Sequence, residues 1–329
     1  RYGPSGIGAI YTSANPKSSA TLTPSLLLDV STVGINVGSS TKPSAASTCS
    51  QYTGDPLAAA SGGTNADCYR KYPASFSAAT KESFGDMQIA SNDSNLFVIN
   101  LKNQSIINVG LNADGSANTA ATTEYTPPAS IKDDCSTGNV NDWRMFGLGR
   151  QHNLIYVGVT CTGQSTQSSA DLSGRVYSFD EANLSGGLTF VKSIVLDYPR
   201  ENDDVLTTTS TRFRPWTDTQ NVVASNFDGS NCPSAGACTQ VYAQPILSDI
   251  DFASTGDMVV SVRDRLADQV TIYWTGTTPR QRSVAIGFDF FACGGVCFRT
   301  EAWIFAMDGS NGDTFMLCDA DGSAITTGW

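Results

Sequence analysis

The chain has 329 residues, of which only 16% are charged, and a formal net charge of −11. That negative field repels phosphate and excludes nucleic acid as a partner. No apolar run approaches the ~20 residues of a membrane helix, which excludes a helical membrane span.

The length suffices for a sizeable core, read here as a single domain over residues 1–329. With so few charges, the surface must be covered by Ser, Thr, Asn, Gln and Gly, as is common in secreted proteins. The chain opens at Arg1-Tyr2-Gly3-Pro4 without a charged and apolar leader. A mature chain, or a segment of a longer one, is expected to look like this.

Residues 6–12 (GIGAIYT) read as a short strand after a Gly/Pro turn, and residues 25–37 (SLLLDVSTVGINV) as one or two more. From 38 to 79 the chain is rich in Ser, Gly, Ala, Pro and Tyr and reads as a long surface loop. A clear strand pair follows at 84–103 and continues into 105–111; 112–116 is a turn, and the polar, Pro-ended stretch 117–128 reads as loop. Residues 143–161 form the next pair. After a Ser/Thr/Gln loop at 162–172 come strands at 175–180 and 188–196. The stretch 202–231 is irregular, with Trp216 and Phe227 as anchors. Residues 241–269 hold a further pair, and strands at 270–274, 283–291 and 303–317 complete the chain. No amphipathic helix and no interdomain linker stand out.

One pattern recurs. At 247–269 (LSDIDFASTGDMVVSVRDRLADQ), Ile250 and Phe252 alternate with Asp249, Asp251 and Ala253; a Ser-Thr-Gly-Asp turn and the apolar, β-branched run 258–262 follow. At 84–103 (FGDMQIASNDSNLFVINLKN), Asp86 falls with Asp249, Met87 with Ile250, Ile89 with Phe252 and Ala90-Ser91 with Ala253-Ser254. Looser copies lie at 145–159 and 303–317. A strand-turn-strand unit repeated without helices points to an all-β repeat architecture, and to a β-propeller before a β-sandwich.

The nine cysteines group locally. Cys49 and Cys68 bracket a Gly/Ala/Ser-rich excursion, Cys135 and Cys161 bracket a strand pair, Cys232 and Cys238 flank a short loop, and Cys293 and Cys297 flank Gly-Gly-Val. Four local disulfides and an oxidising compartment follow, leaving Cys318 without a local mate and available for an intermolecular bond. The rival reading is zinc at the CxxxC of 293–297, which lacks a second close ligand pair because His152 is the only histidine.

Little in the sequence suggests catalysis. His152 sits in a turn facing solvent, away from any nucleophile. No Gly-rich phosphate loop opens a helix. Paired carboxylates occur at Asp133/Asp134, Asp203/Asp204 and Asp249/Asp251, and cap turns at least as readily as they flank a glycosidic bond. The cluster Arg263, Asp264, Arg265 and Asp268 reads as a structural ion-pair network fixing a strand end, because the planar guanidinium grips carboxylates bidentately; a ligand site is the alternative. Asp308, Asp313, Asp319 and Asp321 supply hard oxygens at calcium-like spacing, although hairpin turns explain them equally well. No other cofactor is indicated. Asn92, Asn103 and Asn183 head Asn-x-Ser sequons in or near turns.

Several of these stretches resemble large secreted surface proteins, among them bacterial proteins with Sdr-type B repeats and similar stramenopile proteins of the flagellar-hair (mastigoneme) kind. The likeness lies in residues 6–11 (GIGAIY), in Met87 to Leu101, in Asp134-Cys135 with Trp143 to Phe146 and Tyr156 to Cys161, and in Asp249 to Gln269. It implies a disulfide-stapled, seven-bladed β-propeller of which this chain is one segment, since such proteins begin before this Arg1 and continue past this Trp329. The function it implies is a non-enzymatic extracellular structural or adhesion module, a repeating subunit of a surface fibre that meets other copies of itself or neighbouring subunits. Two alternatives stand beside it: a lectin-like propeller that binds glycans through Trp143, Trp216, Trp274 and Trp303, and a secreted hydrolase.

Overall fold

The computed structural model describes residues 6–13, 24–39, 77–196, 213–218 and 243–269, together with the backbone of five later strands. The protein is all-β, and every strand pair is antiparallel. A ribbon of β1 (Ala9–Thr12) and β2 (Ser25–Asp29) comes first. Two four-stranded sheets follow, each built from consecutive strands. The first holds β3 (Phe84–Ile89), β4 (Asn95–Asn100), β5 (Ser105–Leu111) and β6 (Ala117–Tyr125). The second holds β7 (Trp143–Gln151), β8 (Leu154–Cys161), β9 (Ser173–Asp180) and β10 (Thr189–Val195). A third sheet runs β11 (Pro245–Phe252), β12 (Met258–Asp264), β15 (Gly287–Phe291). Two ribbons, β13 (Ile272–Thr275) with β14 (Pro279–Arg282) and β16 (Thr314–Cys318) with β17 (Ala324–Gly328), complete the described strands. Two one-turn helices, α1 (Ala129–Lys132) and α2 (Leu266–Gln269), fill corners.

Of the one or two strands expected at residues 25–37 there is one, because Asp29 accepts the Ser31 N–H at 3.0 Å and caps a 3-10 turn, Val30–Val33, that Gly34 closes at φ 80°. One expectation is corrected. Residues 117–125 are an edge strand, not a loop: β6 lacks apolar alternation because no residue of it is buried, and its pairing comes from β5. One position was also missed, since no strand signal marks 279–282.

The sheets stack face to face through three apolar layers. Ile10, Leu28, Val30 and Val37 from the ribbon and its following turn cover Leu96, Val98, Ile107 and Val109 of the first sheet. That sheet's other face, Phe97, Ile99 and Ile106, meets Met145, Leu148, Ile155 and Val157 of the second. Tyr156, Leu172 and Val176 on the second sheet's far side meet Leu247, Ile250, Val260 and Val262 of the third. Strands β4 and β8 contribute to an apolar layer on each face because each is sandwiched twice, whereas β12 buries Val260 and Val262 on one face and carries Ser261 and Arg263 on the other.

Candidate functional site: a charged junction where the first strands converge

The first strand of each sheet lies against the next: β3 against β7, and β7 against β11. All three carry a β-bulge, between Phe84 and Met87, Met145 and Leu148, and Leu247 and Asp249. A bulge withdraws backbone N–H groups from the ladder. The preceding sheet satisfies them. Leu148 N–H donates to Asp86 Oδ2 at 3.0 Å, Met145 N–H to Gln104 Oε1 at 2.6 Å, and Leu247 N–H to Thr160 Oγ1 at 2.9 Å. Asp86 and Asp249, aligned in the sequence, also match in structure, each accepting the next residue's N–H, from Met87 at 2.7 Å and Ile250 at 2.8 Å. Burial raises the Asp86 carboxyl, and the two backbone N–H groups oppose that rise.

At the end where these strands begin, a buried charged junction gathers residues from distant segments. Arg265 is fully buried. Its Nε donates to Ala79 O and Thr80 Oγ1, Nη1 to Thr217 O and Gln244 Oε1, and Nη2 to Ala79 O and Asp218 Oδ1, all at 2.9–3.1 Å. The guanidinium stacks over Trp216, 4.5 Å from the ring centroid. Gln244 Nε2 donates to Gln269 Oε1, and Gln244 N–H to Asp264 Oδ1. Asp218 also receives Lys81 Nζ at 2.6 Å and Gln164 Nε2 at 3.0 Å. On the rim, Arg263 pairs with Asp268 at 2.6 Å and lies 4.8 Å from the Phe146 ring centroid.

The charges interact strongly. Burial, then the Arg265 charge, pushes Lys81 down to about 8, against the hydrogen bond it donates to Asp218. Burial also pushes Arg265 down to about 10, with Asp218 opposing. For Asp218 itself burial works upward, but the Lys81 hydrogen bond and the two cations hold the carboxyl below its ordinary value. The junction therefore has a definite pH signature. Between about 8 and 10.5 the unfolded chain binds a proton at Lys81 that the folded chain has released, so unfolding free energy rises with pH in that window. Lys81→Met is expected to remove that rise, worth up to about 3 kcal/mol at about 1.4 kcal/mol per unit. Urea unfolding of both proteins at pH 7.5 and 10 reads the difference.

The described residues include part of the set expected from the sequence. Cys135 and Cys161 form a disulfide with a Cα–Cα distance of 5.4 Å, tying the loop after α1 to the end of β8. Cys318 ends β16, and Cys49, Cys68, Cys232, Cys238, Cys293 and Cys297 lie outside the described residues, as do Asp203, Asp204, Asp308, Asp313, Asp319, Asp321 and Phe227. Arg263, Asp264, Arg265 and Asp268 do gather at a strand end. However, Arg265 pairs with Asp218, far from it in sequence. His152 is exposed in the β7–β8 turn at φ 55°. Among the paired carboxylates, Asp134 accepts from Tyr177 Oη at 2.8 Å, and Asp249 and Asp251 each accept a neighbouring backbone N–H. Trp143 and Trp216 are core residues at 0% and 1% exposure and offer no face to a sugar. Trp303 lies outside the described residues, and only the backbone of Trp274 is described.

The three sequons separate. Asn92 and Asn183 are exposed, and their loops meet through Ser91, whose N–H and hydroxyl both donate to the Glu181 carboxylate. Asn103 is half-buried; its Nδ2, the atom that would carry sugar, donates to Glu124 at 3.0 Å, and Ser105 of the same sequon is fully buried. Glycopeptide mapping of eukaryotically expressed protein is expected to find glycan at Asn92 and Asn183 and an empty Asn103.

Sequence reasoning missed Lys81, Asp142, Asp218 and Gln244. Asp142 is buried and accepts the Ser165 N–H at 3.1 Å and the Thr162 hydroxyl at 3.3 Å. No spacing links these positions, since they converge only after the sheets stack. Comparison with known protein families and with curated proteins finds no match to this chain.

Proposed function

We propose that the chain is a non-enzymatic β-propeller module, of the seven-bladed kind, from an extracellular structural or adhesion protein. The observation that carries this reading is the close approach of β3, β7 and β11. Glycines mark the contacts: a Cβ at Gly85 would stand 2.7 Å from Phe146 O, and one at Gly147 2.7 Å from the Asp249 nitrogen. Sheets of four strands, stacked in chain order with their first strands together, are the elements of a ring around a central axis. The described carboxylates near that axis are taken up by backbone N–H groups and buried cations, as suits a rigid scaffold rather than a reaction centre. The disulfide suits an oxidising compartment outside the cell. Such a module acts by presenting rigid loops and edges to further copies of itself or to neighbouring subunits.

Light scattering and electron microscopy of the native particle test the proposal. Regular assemblies larger than one chain, built from ring-shaped units, are expected. A monomer with an elongated two-sheet profile would overturn it.

A further inference from the structure

Lys81, Gln164 and Asp218 form a closed triangle of contacts beside the fork of Arg265. Lys81 Nζ donates to Gln164 Oε1 at 2.8 Å and to Asp218 Oδ2 at 2.6 Å, and Gln164 Nε2 donates to that same Oδ2 at 3.0 Å. Each corner is held from outside the triangle. Arg265 Nη2 takes the other carboxylate oxygen, Oδ1, at 2.9 Å. The Gln164 backbone N–H donates to Thr162 Oγ1 at 3.3 Å, and its backbone carbonyl accepts from Gln167 Nε2 at 2.7 Å. Lys81 lies in a turn, where its N–H donates to Ala78 O at 3.0 Å. An ion pair needs only the ammonium and the carboxylate. Here an amide joins them, with its oxygen toward the amine and its nitrogen toward the carboxylate. Oε1 is one C=O bond, about 1.2 Å, from Cδ, so the amine stands at an acyl carbon.

These are the parts of an acyl transfer: an amine nucleophile, an acyl carbon, a leaving nitrogen and a base that touches both nitrogens. We infer that Lys81 and Gln164 join in an intramolecular isopeptide bond, with Asp218 as the proton relay. The Nζ lone pair of the neutral amine adds to Gln164 Cδ, and the carbonyl π pair moves onto Oε1. A proton passes from Nζ to Asp218 Oδ2 and from there to Nε2. The carbonyl re-forms, the Cδ–Nε2 bond breaks and ammonia leaves. Nothing is oxidised or reduced, and Asp218 ends as it began. The surroundings favour the reactive amine. The Lys81 side chain is 16% exposed, and burial with the Arg265 and Arg144 charges brings it down to about 8, although Asp218 opposes them. The same two guanidinium charges favour the oxyanion that develops on Oε1. The reaction occurs once per chain. It ties the turn that leads into β3 to the loop that leaves β8, just past the disulfide at Cys161. The pH signature of Lys81 belongs to the open chain and fades as the bond forms, because an amide nitrogen does not titrate. The stabilities of Arg265 and Asp218 variants are likewise those of the open chain.

A time course of intact mass on the whole folded protein, followed by peptide mapping, tests this. The expected result is a loss of about 17 Da, one ammonia, that maps to a branched peptide joining Lys81 to Gln164. Lys81→Met is expected to keep its full mass. Asp218→Asn can still accept from Arg265 but lacks the base, and is expected to close at least about 100-fold more slowly. A parent chain that keeps its full mass while its near-UV circular dichroism shows it folded overturns the inference, as does an ammonia loss that maps to other residues. Closure of Asp218→Asn at the parent rate overturns the relay. The parent and Lys81→Met decide the bond even where Asp218→Asn does not fold.

Discussion

Alanine at Gly149 is expected to cost roughly 3 kcal/mol of stability or more, at the upper end of what overpacking a core produces. The single added carbon would stand 2.1 Å from the carbonyl oxygen of Ile250 and 2.8 Å from both its carbonyl carbon and its Cβ. Two of these atoms are backbone in the middle of β11, which pairs with β12 along its length. No rotamer relieves the clash, so β7 and β11 must separate. Separation opens the layer of Leu247, Ile250, Val260 and Val262 against Tyr156 and Val176. Gly158→Ala provides the contrast. Its Cβ would also meet a neighbour at 2.1 Å, but that neighbour is the terminal Cδ2 of Leu247, which a change of rotamer or a shorter side chain moves away. Gly158→Ala is therefore expected to be milder and to be partly rescued by Leu247→Ala, whereas no side-chain change at Ile250 rescues Gly149→Ala. Chemical denaturation of the four variants reads this pattern. Equal stability of Gly149→Ala and the parent would mean that the two strands do not approach as described.

The stacking that makes Gly149 critical was partly visible in the sequence. Period-two alternation and the Gly, Asn and Asp turns marked β3, β4, β5, β7, β8, β9, β11 and β12 to within a few residues, because each has an apolar face with one fixed register. The repeat of Asp86 at Asp249 carried real structural content, since both cap a backbone N–H at a bulge. What the sequence hid falls into two kinds. Strand β6 was invisible because its partner, β5, and not its own pattern holds it in place; Gly110 makes room for the close contact with Ala121. The charged junction was half visible. Arg263, Arg265 and Asp268 announce themselves as a charge cluster, but the groups that explain Arg265 lie 21 to 186 residues away. One of them, Asp218, sits in a stretch without periodicity, and two others are backbone carbonyls, which no side-chain pattern reveals. Trp143 and Trp216 show the opposite limit: composition cannot tell a core tryptophan from a sugar platform, and only burial decides.

Arg265→Ala is expected to be among the most destabilising single changes in the chain, by about 3–5 kcal/mol, as for other broken buried ion pairs. Asp218 is 34% exposed by side chain and keeps Lys81 at 2.6 Å, so loss of Arg265 leaves that carboxylate with a cation and with water. The Ala79 and Thr217 carbonyls each keep one donor, the Thr80 hydroxyl at 2.6 Å and Gln269 Nε2 at 3.0 Å, but all six hydrogen bonds of the buried guanidinium go at once, at roughly 0.5–1.5 kcal/mol each. Trp216 loses the cation over its ring as well. Arg265→Lys should recover little, since an ammonium cannot span Ala79, Thr217, Gln244 and Asp218 at once. Asp218→Asn is the informative comparison: the amide oxygen can still accept from Arg265, so only the charge is lost, and a milder effect of about 1–2 kcal/mol is expected. The predicted order is Arg265→Ala worst, Arg265→Lys close behind and Asp218→Asn mildest. At roughly 2–4 °C per kcal/mol the gap is readable in a thermal melt. If Asp218→Asn proved the worst of the three, charge neutralisation rather than hydrogen bonding to distant backbone would be what holds the segments together. Ionic strength would then separate the variants, because salt screens an ion pair with a partly exposed member and leaves a fully buried hydrogen-bond fork almost untouched.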